Sequence, residues 1–350
     1  MSTDAAFAAR LLAWQKQHGR QDLPWQGDTD PYRVWVAEVM LQQTQVATVL
    51  PYYARFLASF PDLTSLAAAP LETVLAHWAG LGYYRRARNL HDAAKRLATH
   101  RQGRMPGDFD GLLALPGVGR STAAAIAAAA FGERRAILDG NVKRVLARAF
   151  AITGFPGAGA VEKVLWRLAE SLLPEREVAR YHQALMDLGA TVCTARRPEC
   201  AHCPLTETCL AKSQGRVAEL PEPRPRRSLP TRECFVAVLR AGRSVLLERR
   251  PPCGIWGGLW SLPEFADESA LAGYVAALPG TTVLRGEDMP ELRHSFTHFR
   301  LLLRPRCYEL EARPSLAHDS ASAWQSIETL AELALPTPVA RILRQLPRFP

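Results

Sequence analysis

The chain has 350 residues, 48% of them apolar, and a formal net charge of +9. Such a length implies about two or three domains, and the basic balance favours a polyanionic partner such as nucleic acid. No run reaches the roughly 18 apolar residues of a membrane span, and residues 1–10 lack the basic-then-apolar order of a secretory signal, so neither insertion nor export is expected.

From Ala5 to about Lys212 the apolar residues recur at helical spacing with Pro and Gly between segments, so this part is predicted all-helical. Glu38 lies in Val34-Trp35-Val36-Ala37-Glu38-Val39-Met40-Leu41. It is either a surface residue or a partly desolvated carboxylate with a raised pKa, able to donate a proton near neutral pH. A further helix is predicted at Leu71–Trp78. Leu115-Pro116-Gly117-Val118-Gly119-Arg120-Ser121-Thr122-Ala123 follows, where Gly117 and Gly119 allow a tight turn and Ser121 is expected to cap the next helix. Exposed N–H groups at such a helix start suit DNA phosphate, and the alternative is an ordinary corner between helices. The alanine run 123–130 reads as close helix packing. Asp139, in Ile137-Leu138-Asp139-Gly140-Asn141-Val142-Lys143-Arg144, precedes another helix that it could cap, or it projects into a cleft. Helical spacing returns at Val161–Leu173.

Four of the seven cysteines, Cys193, Cys200, Cys203 and Cys209, then occur as C-x6-C-x2-C-x5-C, a set able to enclose one metal centre. Thiolate chemistry admits both a tetrahedral zinc and an iron-sulfur cluster, and the spacing matches neither common zinc pattern. The remaining Cys234, Cys253 and Cys307 show no disulfide-like pattern, which suits a reducing compartment, so a cytoplasmic protein is expected. Residues 213–231 are rich in proline and arginine without periodicity, as in an extended linker. Beyond it, Cys234–Arg240 and Ser244–Glu248 are predicted strands around the Ala241-Gly242 turn, and Arg300–Leu310 another, which makes residues 232–350 a smaller α/β domain. Trp256 to Trp260 (WGGLW) is read as core packing there.

The segments EVMLQQTQV, GLGYYRRARNL, LPGVGRSTA, ILDGNVKRVLAR and MDLGATVC, with the four cysteines, stand in the order found in helix-hairpin-helix DNA glycosylases carrying an iron-sulfur cluster. The chain resembles most closely the A/G-specific adenine DNA glycosylases of the MutY type, over essentially its whole length. The resemblance implies a glycosylase domain at residues 1–212 with the iron-sulfur loop at 193–209, a linker at 213–231, and a Nudix-like 8-oxoguanine recognition domain at 232–350. It also implies one 4Fe-4S cluster on the four cysteines, with Arg196 and Arg197 beside it facing phosphate. The implied partner is double-stranded DNA bearing adenine opposite 8-oxoguanine or guanine, and a monomer is expected because one chain holds every required part.

By the same resemblance the adenine nucleotide is flipped from the duplex, with Gln43 and Tyr83 as wedges beside Thr44 and Leu81, and Trp25, Leu41 and Gln183 lining the base pocket. Glu38 is the implied general acid and base, Asp139 stabilises or traps the sugar cation, and Asn141 orients Asp139 or the water. Lys143 contacts phosphate or sugar. In the last domain Phe296, Thr297 and His298 resemble the loop that probes 8-oxoguanine, where the family commonly has Phe-Ser-His. Gly258 and Glu264 fit the start of a Nudix box, but Ala272, Gly273, Ala276 and Ala277 stand where its Arg-Glu and later glutamates belong, so nucleotide hydrolysis is not expected. The endonuclease III type is the alternative. It carries a lysine nucleophile where this chain has Ser121, whose hydroxyl cannot form the imine that leads to strand cleavage. A DNA-binding protein without catalysis is the other alternative, since phosphate contacts require neither acid.

Overall fold

The computed structural model describes residues 3–225, 228–252, 254–314 and 321–346; Cys253 and the linker residues Arg226 and Arg227 lie outside these. Contacts divide the chain into two units, Met1–Ala67 with Asp92–Arg226, and Ala68–His91 with Arg227–Pro350. The later cut falls inside the proline-arginine segment. The grouping of residues 68–91 with the C-terminal unit is a departure from a single cut between domains. Side chains distant in sequence hold them there: the Trp260 indole donates to Glu72 at 2.8 Å, the Tyr84 hydroxyl to the Leu335 carbonyl at 3.1 Å, and Arg88 to the Gly257 carbonyl at 2.5 Å.

The first unit is helical, as expected. Asp30 caps the Pro31–Leu41 helix by accepting from the Tyr32 N–H at 2.8 Å, and Pro31 supplies a first-turn φ at no cost in hydrogen bonds. Trp35, Val36 and Met40 are fully buried on this helix. Ala123, Ala124 and Ala127 are equally buried on the Arg120–Phe131 helix, where small side chains let neighbouring backbones approach. A shared core of Leu11, Leu146, Leu165, Tyr181 and Leu185 joins the Thr3–His18, Gly140–Ala149, Gly159–Ser171 and Val178–Asp187 helices. Past Asp187 the chain widens into a π turn, Leu188–Val192, that delivers Cys193.

The second unit is built on a mixed eight-stranded sheet. Strand Thr231–Ala241 runs antiparallel to Ser244–Arg249 and parallel to Arg300–Leu310, in register from Thr231 opposite Arg300 to Arg240 opposite Glu309. The turn between the first two uses Gly242 at φ 55°, as the Ala241-Gly242 signal predicts. Helix Glu268–Ala276, capped by Asp267, covers one face through Leu271 and Val275 against Leu239 and Leu246. Trp256 and Trp260 are buried, which agrees with a packing role for WGGLW. Among the described residues no helix is long and apolar enough to cross a membrane.

Arg148 shows how the helical unit holds its irregular segments. This buried guanidinium donates to the carbonyls of Leu220 at 2.7 Å, Thr194 at 2.7 Å and Ala195 at 3.2 Å. Arg148→Met would leave those carbonyls without a donor, each costing about 1–3 kcal/mol. Denaturant titration is expected to show a loss of at least about 3 kcal/mol by this arithmetic.

Candidate active site and cysteine cavity

Glu38 is carried by the apolar Pro31–Leu41 helix and is packed among protein atoms, with only part of its carboxyl open to water. Burial, reinforced by the negative charge of Asp139, pushes its pKa up to about 7. The two acids therefore lie close enough to feel each other. Asp139 is an N-cap, one of its two expected readings, and its charge also acts on Glu38. Its Oδ1 accepts from the Val142 N–H at 2.8 Å at the head of the Gly140–Ala149 helix, and its Oδ2 accepts from the Asn141 amide at 3.4 Å. Burial leaves the pKa of Asp139 raised overall, with these hydrogen bonds and the charge of Arg144 offsetting only part of its effect. Of the pair, Asp139 has hydrogen-bond donors that oppose the effect of burial, and Glu38 holds its proton up to about pH 7.

Ser121 does not cap the helix it begins. The N-cap is Gly119, with no side-chain capping bond, because the helix starts one residue before Ser121, at Arg120. The Ser121 hydroxyl instead accepts from the Leu138 N–H at 2.8 Å, fixing the residue before Asp139 to the hairpin helix. Gly117 uses a φ of 77°, whereas Gly119, at φ −93°, has open space where a Cβ would project. Both glycines are exposed and leave the backbone N–H groups of this turn approachable.

The turn after the Glu38 helix is tied to the hairpin by Gln42, whose amide donates to the Gly117 carbonyl at 3.3 Å and the Thr122 hydroxyl at 3.2 Å. Gln43 is exposed at its tip with φ 57°, a left-handed conformation costly for a side-chain-bearing residue, and Thr44 closes the turn through Leu41. Leu41 is half-buried and Trp25 is buried edge-on against Tyr53 at 5.3 Å. Gln183 donates to Asp187 at 2.7 Å. Lys143 is paired with Glu162 at 2.6 Å.

In the second unit Tyr83 is half-exposed at φ 49°, between Gly82 at φ 77° and the buried Tyr84, and Leu81 is buried. Phe296, Thr297 and His298 form the turn joining strands Leu292–Ser295 and Arg300–Leu310. Thr297 and His298 are exposed, while Phe296 rests between Phe299, stacked at 4.6 Å, and Trp256 at 5.6 Å. Glu264 is paired with Arg250 at 2.8 Å.

The four cysteines line one cavity with about 310 Å3 of empty space, part of it open to solvent, together with Arg148 and Lys212. Burial and the three neighbouring thiols push Cys203 up to about 11, and burial also raises Cys209. Thiols so disposed ionise readily only with cations among them. Among the described residues no three His, Cys, Asp or Glu side chains are placed to hold one metal ion. Arg196 and Arg197 are exposed on the same loop.

Several contributors escape the sequence reading. Arg144 donates to the Asn141 side chain at 2.7 Å, the Gly189 carbonyl at 2.6 Å and the Cys193 carbonyl at 2.7 Å, bridging the acid pair to the cysteine loop. Gly189 has no room for a Cβ, which would fall 2.6 Å from that of Asn141. Only the basic residue one turn after Asp139 hinted at the first, and nothing local marked the second.

Comparison with known proteins agrees with this layout. Residues 36–171 match the HhH-GPD superfamily of base excision DNA repair proteins, and residues 234–345 match the NUDIX domain. The adenine DNA glycosylase of Buchnera aphidicola (subsp. Baizongia pistaciae) is 33% identical over 99% of this chain and 98% of its own length. That of Mus musculus is 35% identical over 97% of this chain and 77% of its own. Among solved structures, a thermostable thymine-DNA glycosylase superposes with a TM-score of 0.54 at 29% identity, covering 60% of this chain and 97% of its own. A non-covalent endonuclease III–DNA complex gives 0.52 at 26% identity, covering 61% and 99%.

A folded-state pKa of about 7 against 4.5 for the free group means that the native state holds a proton on Glu38 that the unfolded chain releases. Stability from this group is therefore intact below about pH 4.5 and declines as pH rises to about 7, by about 3 kcal/mol in all. Glu38→Gln removes the penalty. Urea unfolding at a series of pH values should show the variant's advantage growing between pH 4.5 and 8; a difference independent of pH would contradict the assignment.

Proposed function

Since the chain belongs to the adenine DNA glycosylase family, enzymes that hydrolyse the N-glycosyl bond of adenine in base-excision repair, we propose that it acts on adenine opposite 8-oxoguanine or guanine, as a monofunctional glycosylase. The observation that carries this reading is the Glu38–Asp139 pair, with a proton held near neutral pH on Glu38 and an Asp139 carboxylate that accepts from the Val142 N–H and the Asn141 amide.

Adenine in a duplex is out of reach, so the nucleotide is extruded, with Gln43 and Tyr83 filling the gap beside Thr44 and Leu81. The strained backbone at both wedges supports this, since such conformations collect at functional sites. Gly117, Gly119 and the Ser121 turn grip phosphate through backbone N–H groups, and Lys143 exchanges Glu162 for phosphate or sugar. In the pocket formed by Trp25, Leu41 and Gln183, Glu38 protonates N7 and turns adenine into a competent leaving group. Charge then develops on the sugar, and Asp139, held by Asn141 and the Val142 N–H, stabilises or traps that cation. Deprotonated Glu38 next takes the proton of the incoming water, as in a retaining glycosidase.

Ser121 stands where the endonuclease III type has its lysine, and its hydroxyl is engaged by Leu138, so no imine forms and strand cleavage is not part of the reaction. We assign partner-base reading to Phe296, Thr297 and His298 in the unit that follows the linker. Its Nudix-like Glu264 is paired with Arg250, and Ala272, Gly273, Ala276 and Ala277 stand where the later carboxylates of a Nudix hydrolase would be. Cys193, Cys200, Cys203 and Cys209 would hold one 4Fe-4S cluster, in which each iron needs a single thiolate, so the sulfurs need not converge on one point. When bound, the cluster supplies a cross-link that shapes the 193–209 loop and presents Arg196 and Arg197 to phosphate.

A duplex with adenine opposite 8-oxoguanine should yield a strand break after alkali and none before it, with no borohydride-trapped adduct. An intact strand after alkali would overturn the catalytic reading, and a trapped adduct with spontaneous breaks would favour the lyase. The single-turnover rate should fall as pH rises above about 7, where Glu38 ionises. Glu38→Gln should bind the duplex and leave adenine attached.

A further inference from the structure

Residues 68–91 fold with the unit that follows the linker, so Tyr83 is carried by the same unit as the Phe296-Thr297-His298 turn, whereas Gln43 belongs to the other. Little freedom separates Tyr83 from the helix behind it. The Gly82 carbonyl accepts from the Trp78 indole at 3.1 Å and from Arg86 at 3.2 Å, the Tyr83 carbonyl accepts from the Arg86 N–H at 2.8 Å, and helix Arg85–Arg101 starts there.

Two side chains beside Tyr83 then lead to the turn by separate routes. Arg88, in the first turn of that helix, donates to the Gly257 carbonyl at 2.5 Å, and the ring of the preceding Trp256 lies 5.6 Å from Phe296 and 5.9 Å from His294. Trp256 holds a left-handed φ of 56°, costly for a bulky residue and kept only where its surroundings over-determine it. The Tyr84 hydroxyl accepts from the Gly80 N–H at 3.2 Å and donates to the Leu335 carbonyl at 3.1 Å. Two residues beyond Leu335 begins helix Thr337–Arg344, which packs against Leu292–Ser295, the strand that enters the turn.

We infer that Arg88 and Tyr84 are positioning residues that make the Tyr83 wedge and the Phe296-Thr297-His298 turn one rigid body, so that a partner base accepted by the turn also seats the wedge and speeds extrusion of adenine. The inference rests on the roles proposed for Tyr83 and for the turn. Selectivity for the partner base is then expressed as a rate of excision, carried from one strand to the other through protein contacts.

The test compares single-turnover excision of adenine opposite 8-oxoguanine and opposite guanine at saturating enzyme. Arg88→Met keeps the apolar stem and removes the donor, so the 8-oxoguanine-to-guanine rate ratio should drop about tenfold, the worth of one hydrogen bond from a charged donor, with the rate opposite guanine little changed. Equal losses on both duplexes, or an unchanged ratio, would overturn the inference. Should Arg88→Met not fold, Tyr84→Phe removes a hydroxyl at nearly constant volume, and a fall in the same ratio is expected. His298→Ala separates the two claims, and its cost to the ratio should be large in the wild type and nearly absent in Arg88→Met, as for two residues acting through one route. If His298→Ala lowers the ratio while the Arg88 and Tyr84 variants do not, the positioning role fails alone; if it leaves the ratio unchanged, the reading of the partner base by the turn fails.

Discussion

Burying a carboxylate is costly, and burying a second within range of the first raises the cost further, because each charge opposes the other. The helical unit accepts this around Glu38 and Asp139, and much of its local structure can be understood as the means of tolerating it. Asp139 receives a backbone N–H, a side-chain amide and a nearby guanidinium, which offset part of the rise in pKa that burial causes. Glu38 is left buried in the field of Asp139, so it keeps a proton that a surface glutamate would have lost. This inequality gives two similar side chains different surroundings.

The same helix distributes that support. Asp139 and Asn141 stand at its N-terminus, Arg144 reaches one turn on to Gly189 and Cys193, and Arg148 one turn further to Thr194, Ala195 and Leu220. Ser121 pins the preceding residue from the hairpin, and Gly189 gives Asn141 room. The hairpin helix, the acid pair and the cysteine cavity are therefore all tied by hydrogen bonds to the Gly140–Ala149 helix and the residues just before it.

Much of this was legible in the sequence. Helical spacing located the helices, the Ala241-Gly242 turn and Arg300–Leu310 strand matched the sheet, and a glutamate amid apolar residues announced its own raised pKa. What escaped notice depends on contacts between distant residues. Ser121 appeared to be a cap because serine often caps, but the helix begins at Arg120 and its hydroxyl meets Leu138 instead. The affiliation of residues 68–91 with the C-terminal unit rests on Glu72, Tyr84 and Arg88 finding partners more than 150 positions away.

The central claim is that burial and the charge of Asp139 together hold a proton on Glu38. Carbon-detected NMR titration of the glutamate carboxyls, assigned through Glu38→Gln, tests it in the wild type and in Asp139→Asn. The account predicts a midpoint of about 7 for Glu38 in the wild type, and in the variant a lower one that still exceeds 4.5 because burial remains. A wild-type midpoint near 4.5, or one unmoved by the loss of Asp139, would contradict it.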